Sequence, residues 1–254
     1  MELGLRDKVV FIGGASRGIG LAVARAFLEE GAHVAISARG AEGLRTAEAT
    51  LAGEFPDLSV LALNADMRDE GEVDAAISQV ISDLGGLDCV VASAGTGRGP
   101  GGWQPEVRAW RELLEENLMS AVVLCQRALP ELRDGGAVAL IGSVAGLADL
   151  GAPLPYSASK AALVRYTRDL ARRVAPEGVR VNVVAPGNIL FPGGRWEELL
   201  REDRDGVESY IGRDVPMARF GSPEEIASAV VFLCSERASF ITGACLVADG
   251  GQLR

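Results

Sequence analysis

The chain has a single histidine, four cysteines and an aromatic share of only 5%. The cysteines, Cys89, Cys125, Cys234 and Cys245, are widely spaced in apolar surroundings, with no C-x-x-C pair. No histidine lies near enough to complete a zinc site, so buried reduced thiols are expected and no metal site. So few aromatics argue against an all-β sandwich. No basic run exceeds two residues, and the net charge is −10 with a pI near 4.8. Phosphate backbones need clustered Lys and Arg, so nucleic acid is not an expected partner. An anionic cofactor would need a local basic site set against the global charge. No apolar stretch reaches a membrane-spanning length, and MELGLRDKVVFIGG lacks a signal-peptide profile. The expectation is a soluble, cytoplasmic protein with no membrane partner.

Ala, Val, Leu and Gly are abundant, and hydrophobic residues make up 48% of 254, enough for a sizeable core. Short Val/Ile/Ala-rich runs alternate with longer amphipathic stretches. Strands are read at Lys8–Gly14, His33–Arg39, Leu58–Asp66, Leu87–Gly95, Ala137–Ser143, Val179–Gly187 and Cys245–Gly251. Helices are read over about 18–31, 41–55, 69–84, 106–132, 156–174 and 222–234. The last opens on Ser222-Pro223-Glu224-Glu225, a good cap and first turn. This alternation predicts an α/β, Rossmann-like, doubly wound, seven-stranded parallel sheet with helices on both faces. No linker or repeat divides it, so residues 1–254 read as one domain. Two segments break the rhythm, the Gly- and Pro-rich 96–105 and the charged 188–220. Both follow predicted strands, where open α/β sheets bind ligands, so both are candidate substrate loops.

Gly13-Gly14-Ala15-Ser16-Arg17-Gly18-Ile19-Gly20 joins the first strand to the first helix. Glycines permit a tight turn and close backbone approach to a pyrophosphate, and a helix N-terminus favours negative charge. Alone, such a loop could be a plain turn; its strand–turn–helix setting favours the phosphate reading. The second strand ends Ser37-Ala38-Arg39, without the carboxylate that would hold an NAD ribose. Arg39 and Arg17 would instead suit a 2′-phosphate, unless both are solvated surface groups. NADP(H) preference is therefore expected, with NAD(H) possible. Asp66, after the third strand, could bond an adenine amino group or cap a helix, and spacing does not decide.

Tyr156-Ser157-Ala158-Ser159-Lys160 would hold a phenol and an ammonium on one helix face. A free Tyr pKa is roughly 10, and a neighbouring cation would lower it toward useful proton exchange. Tyr-x-x-x-Lys alone could be an ordinary exposed face. Ser143, at the end of the fifth strand, could donate to a substrate carbonyl or serve as a turn or cap residue.

Together, GGASRGIG, NADMRD, Ser93-Ala94-Gly95, EENLMS, IGSVAG, YSASK, VNVVAPG and FITGACLVADGG resemble the short-chain dehydrogenase/reductase family over essentially the whole chain. The spacing of Gly14, Gly18 and Gly20 is that family's own. The subgroup most similar holds 3-oxoacyl-[acyl-carrier-protein] reductases and bacterial alcohol or sugar dehydrogenases. The resemblance implies an oxidoreductase that interconverts a ketone and a secondary alcohol. Tyr156 would be its general acid/base and Ser143 the group that polarises the substrate oxygen. Lys160 would bind the nicotinamide ribose and lower the Tyr156 pKa. Asn117 would kink its helix and hold a water leading to Lys160. Gly14, Ser16, Arg17, Gly18, Ile19, Gly20 and Arg39 would bind the phosphate and ribose end, and Asp66 and Met67 would meet adenine. Ala94, Gly95, Pro186, Gly187 and Ile189, with Tyr156 and Lys160, would line the rest of the cofactor. A homotetramer or homodimer is implied, packed through the long helices and the last strand.

Three positions depart from the family pattern. Gly13 replaces a Thr or Ser, Ala92-Ser93 replaces Asn-Asn, and Phe191 stands where many members carry a Thr that holds the carboxamide. Phe191 would leave that duty to backbone groups and could face the substrate. Leu147, Leu150, Leu154, Leu190, Phe191 and Trp196 would give an apolar pocket, with WEELLREDRDG as a helical lid. Arg98, Arg195, Arg201 and Arg204 could meet an anionic substrate or simply be solvated. Two other readings stay open: a cofactor-binding sensor or scaffold with little turnover, and sugar-nucleotide epimerase or dehydratase chemistry. Retention of Asn117, Ser143, Tyr156 and Lys160 argues against the first. A chain that ends at the seventh strand, without a longer substrate domain, argues against the second.

Overall fold

β-Branched runs form seven strands, and the amphipathic stretch after each folds back over the sheet. The computed structural model describes residues 2–253. Its strands are β1 Val9–Gly13, β2 His33–Ala38, β3 Val60–Asn64, β4 Cys89–Ala92, β5 Ala137–Ile141, β6 Arg180–Pro186 and β7 Cys245–Ala248. All pair in parallel, in the order β3-β2-β1-β4-β5-β6-β7. The helices are α1 Gly18–Glu29, α2 Ala41–Glu54, α3 Glu70–Leu84, α4 Val107–Leu114 and α5 Ser120–Ala128, then α6 Leu154–Val174, α7 Arg195–Glu202, α8 Arg204–Asp214 and α9 Pro223–Cys234. The expected doubly wound, Rossmann-like sheet is the observed one. Among the described residues, no helix is long and apolar enough to cross a membrane.

Side chains of β1 alternate between two cores, as period-two geometry requires. Val10 and Ile12 pack with α1, α2 and α9, whereas Val9 and Phe11 pack with α3, α5 and α6. Burial on both faces explains why the strands read as continuous apolar runs. The connection reverses direction between β1 and β4, which lie side by side, Val10 beside Cys89. A crevice opens there at the carboxyl ends of the strands.

Local chemistry sets the helix ends. Asp69 caps α3 by accepting from the Glu72 N–H at 2.9 Å, and left-handed Gly85 ends it. Ser222 and Glu225 form a reciprocal capping box at α9, with Pro223 in its first turn. Helix α6 begins at Leu154, two residues before the expected start, because Pro155 suits a first turn. The expected helix over 106–132 is interrupted by a π-turn, Glu115–Met119, between α4 and α5. The expected single lid helix is two. Asp203 leaves helical geometry and caps α8 by accepting from the Gly206 N–H at 3.0 Å.

Candidate active site

The loop after β1 is shaped by what cannot fit. Gly14 has φ +84°, and a Cβ there would lie 2.6 Å from the Ala94 backbone. A Cβ on Gly20 would lie 2.2 Å from the Gly14 carbonyl. The glycines therefore let the loop lie flat against β4 and let α1 start close beneath it. The first-turn N–H groups of a helix lack partners within the helix. Helix α1 has no acidic residue in that turn and Arg17 at its N-cap. That end of the cleft suits an anion.

Around this loop runs a cleft of about 1100 Å³. It is lined by every residue expected to bind a cofactor or act in catalysis, except Gly18. Gly18 is covered by the Phe191 ring, an edge carbon of which lies 2.6 Å from where a Gly18 Cβ would be. Phe191 therefore packs on the phosphate loop while also lining the cleft. Gly13 has a comparable reason: a Cβ there would lie 3.0 Å from Met67 Sδ and 3.1 Å from Leu124. Met67 fills the space that a Thr or Ser side chain would take. Its side chain is 4% exposed and packs mainly in the core.

Three guanidiniums line this part of the cleft. Arg39 reaches Glu116 at 3.4 Å across exposed surface. Arg17 donates instead to the Gly193 carbonyl at 2.9 Å, which ties the phosphate loop to the segment leading into α7. Arg68 clamps Asp66, Nε to Oδ1 at 3.0 Å and Nη2 to Oδ2 at 2.5 Å. That contact holds the Asp66 carboxyl below its ordinary pKa. Arg68 and Glu116 line the cleft and were missed by sequence reasoning, although Arg68 directly follows the Asp66-Met67 pair.

The chemistry-bearing side chains converge where β5, α6 and the π-turn meet. Tyr156 lies in the first turn of α6, and Lys160 follows one turn later. Ser143 caps a short 3₁₀ turn at the end of β5, its Oγ accepting from the Ala145 N–H at 3.1 Å. Burial raises the Tyr156 phenol above its ordinary pKa, and a hydrogen bond with Ser143 offsets part of that rise. Lys160 is buried, which lowers its ammonium to about 8. Its Nζ donates to the Ile141 carbonyl at 2.8 Å. The lysine is thus aimed at the end of β5.

Asn117 sits inside the π-turn at 1% exposure. The extra residue in that turn frees the Leu113 carbonyl, which accepts from Asn117 Nδ2 at 3.0 Å. Asn117 Oδ1 accepts from the Thr96 N–H at 3.0 Å and so pins the loop after β4. The helix is thus interrupted at Asn117 by a π-turn, with this side chain bonded back to the preceding turn.

The substrate end is built by α7, α8 and residues 98–101 and 150–153. Leu150, Trp196, Leu199, Val207 and Tyr210 line it. Trp196 stacks on Tyr210, with centroids 5.6 Å apart at 11°. Leu147 and Leu154, expected as pocket walls, are 39% and 45% exposed outside it, and Leu190 is not among its lining residues. The four arginines all have carboxylate partners. Arg98 grips Glu198, Arg195 reaches Glu198 at 3.4 Å, Arg201 pairs with Glu197 at 2.9 Å, and Arg204 with Glu208 at 2.9 Å. None offers a free cation for an anionic substrate.

Known proteins agree with this arrangement. A family model described as "Enoyl-(Acyl carrier protein) reductase" matches residues 14–252. A mouse protein named Dehydrogenase/reductase SDR family member 4 is 35% identical over 252 residues, covering 97% of this chain and 88% of its own. The 3-oxoacyl-[acyl-carrier-protein] reductase of Aquifex aeolicus is 31% identical over 254 residues, covering 99% of this chain and all of its own. L-Sorbose reductase from Gluconobacter frateurii, solved with NADPH and L-sorbose, superposes with a TM-score of 0.93 at 36% identity, over 100% of this chain and 99% of its own. The chain belongs to the short-chain dehydrogenase/reductase family of oxidoreductases.

Proposed function

We propose that the protein is an NADP(H)-dependent oxidoreductase that reduces a small neutral ketone, or oxidises the matching secondary alcohol, with Tyr156 as general acid/base. The convergence of Ser143, Tyr156, Lys160 and Asn117 on one cleft carries this reading. The cleft suits the cofactor because Gly14, Ser16, Arg17, Ile19 and Gly20 line it at the start of α1, where the first turn holds no acidic residue and its N–H groups suit a pyrophosphate. Gly14, Ser16, Arg17, Ile19 and Gly20 would hold its phosphates. Arg39, backed by Arg68, would meet a 2′-phosphate, and Asp66 the adenine. Ala94, Gly95, Pro186, Gly187 and the Ile189 backbone would flank the nicotinamide.

When bound, the cofactor supplies or accepts a hydride at the reacting carbon. The chain controls the proton. Ser143 donates a hydrogen bond to the carbonyl oxygen and aligns it. The raised pKa of Tyr156 keeps its phenol protonated at neutral pH, ready to give that proton to the oxygen in reduction. Lys160, lowered to about 8 by burial, can exchange protons near neutrality and restore the phenol. Asn117 fixes the loop at Thr96 that closes this corner.

A neutral substrate is favoured because the two of these arginines that line the cleft, Arg98 and Arg195, are both paired with Glu198, and L-sorbose, named for one structural neighbour, is of that kind. A 3-oxoacyl thioester on a phosphate-bearing carrier remains the second candidate class, supported by the Aquifex relative. Exposed Phe240, Leu246 and Val247 near the edge strand β7 support assembly into dimers or tetramers, which light scattering would measure. The deciding experiment is a ketone and alcohol panel with both cofactors. Higher kcat/KM with NADPH and loss of turnover in Tyr156→Phe are expected. Equal use of NADH would reject the cofactor assignment, and full turnover in Tyr156→Phe the proton assignment.

A further inference from the structure

Beyond β7 the chain turns on Asp249, whose carboxylate accepts from the Gly251 N–H at 2.9 Å and the Leu253 N–H at 2.7 Å. The turn runs along the base of the lid, where the Met217 N–H donates to the Gly250 carbonyl at 3.1 Å. It carries Gln252 inward, to 6% exposure. A primary amide at that depth has lost water and needs partners at both ends. Asn188 Nδ2 donates to Gln252 Oε1 at 3.0 Å, and Gln252 Nε2 donates to the Tyr210 hydroxyl at 2.6 Å. Asn188 directly follows Gly187 at the end of β6. Tyr210 belongs to α8 and stacks on Trp196 of α7. Asn188, Trp196 and Tyr210 line the cleft, and Gln252 supports them from behind.

We infer that Gln252 is a positioning residue for substrate binding. It ties the aromatic wall of the substrate pocket to the strand end beside the reacting carbon, and so sets the width of the pocket. Trp196, Leu199, Leu200 and Tyr210 pack, partly buried, on Val207, Ile211 and Val215. No residue of α7 is fully buried, however, and its ion pairs are exposed, so apolar contact alone leaves the position of the wall loosely set. Stacked rings tolerate a range of offsets, whereas an amide bonded at both ends fixes distance and direction. The inference rests on the reductase reading for the identity of the substrate, but the wall itself can be observed without turnover.

Three variants separate the bonds. Gln252→Met keeps the volume and removes both, Tyr210→Phe removes the outer one, and Gln252→Glu keeps acceptors for Asn188 and the Tyr210 hydroxyl. Gln252→Met should raise the KM of the carbonyl substrate about tenfold, with kcat within about threefold and cofactor Kd unchanged. Tyr210→Phe should give a smaller rise, and Gln252→Glu should stay within about twofold of the parent. In a Trp103→Phe, Trp110→Phe background Trp196 reports alone, and Gln252→Met should make its fluorescence more quenchable by acrylamide. Unchanged KM and unchanged quenching would overturn the inference. So would a loss shared equally by cofactor Kd, since Gln252 would then be a general stabiliser. If the parent turns over no ketone or alcohol, the reductase reading fails, and the quenching result alone decides the wall.

Discussion

The two halves of the cleft are held by different forces. At the cofactor half, loops leave the ends of the buried central strands, and glycines press backbone against backbone. Asn117, Ser143 and Lys160 are each less than 9% exposed, with hydrogen bonds to the backbone. At the substrate half, α7 has no fully buried residue, and the lid is held by a small cluster of partly buried apolar side chains and by charged pairs between partly exposed ones. Exposed pairs contribute between nothing and about 1 kcal/mol each. The chemistry therefore stands on rigid structure, while the wall that meets the substrate is held weakly and can open. Substitutions in the first half should destroy function, and those in the second should tune it.

The largest effect is expected at Tyr156. Tyr156→Phe removes only the proton donor and should lower kcat by about 10³-fold or more while cofactor Kd, read by fluorescence, stays the same. The parent should also show a pH signature. Because burial raises the phenol, reduction should hold a plateau through neutral pH and fall in alkali, whereas oxidation, which needs phenolate, should rise. An oxidation rate flat from neutral pH to pH 10 would contradict the assignment.

Backbone packing gives the next test. Gly20→Ala would place a methyl 2.2 Å from the Gly14 carbonyl, with backbone rather than a flexible side chain in the way. The loop must shift, so cofactor affinity should fall by about 100-fold, more than kcat at saturation. Titration of the variant with NADPH measures this, and parent-like affinity would show that the loop is less rigid than drawn.

Lys160 lies between these extremes, because its effects on activity and stability differ in sign. Its folded pKa, about 8, lies below the ordinary 10.5. The folded protein thus binds fewer protons between those values, so stability rises with pH across that window, and the full penalty is present below it. Lys160→Met should slow turnover yet, at pH 7, raise Tm by several degrees, with the lost bond to Ile141 offsetting part of about 3 kcal/mol. A Tm gain that persists at pH 10.5 would refute this origin.

Legibility in the sequence follows the same division. The alternation of apolar runs predicts all seven strands, because burial of the central strands on both faces leaves few polar residues within them. The cap Ser222 and the glycines of the first loop are local signals, and they act where they are read. What escapes depends on contacts far apart in sequence. A π-turn inserts one residue without altering the apolar pattern around Asn117, so periodicity shows one long helix. Asp203 breaks a helical charge pattern by capping the next helix, and the pattern alone does not announce it. The orientation of Phe191 is decided by the absence of a side chain at Gly18, far earlier in the chain. Gln252 gains its position only when β7, α8 and the end of β6 meet.

Arg39 and Arg17 divide along the same line. Both were expected at a 2′-phosphate, but Arg17 holds the Gly193 carbonyl while Arg39 is engaged only by Glu116 at 3.4 Å. Arg39→Ala should therefore lower kcat/KM for NADPH by about tenfold and leave NADH little changed. Arg17→Ala should affect both cofactors together, through the lid. Equal losses of NADPH preference in the two variants would restore the pairing read from sequence.

The smallest effect is expected at the clasp of the lid. Arg98 leaves the loop after β4, grips Glu198 of α7, and donates to the Gly193 carbonyl at 3.0 Å. Arg17 reaches that same carbonyl from the phosphate loop, so two loops hold one peptide of the lid. The side chains are 42% and 32% exposed, so water screens the pair and its contribution is small. Arg98→Ala and Glu198→Ala should each shift Tm by no more than about 2 °C. Each should raise substrate KM by about two- to fivefold, and kcat should rise slightly if opening of the lid limits product release. The double variant should lose less than the sum of the two, because the Arg98–Glu198 bond is shared, while Arg98 also holds the Gly193 carbonyl and Glu198 also meets Arg195. Full additivity would show that these separate contacts, and not the shared pair, are what each residue contributes to the lid.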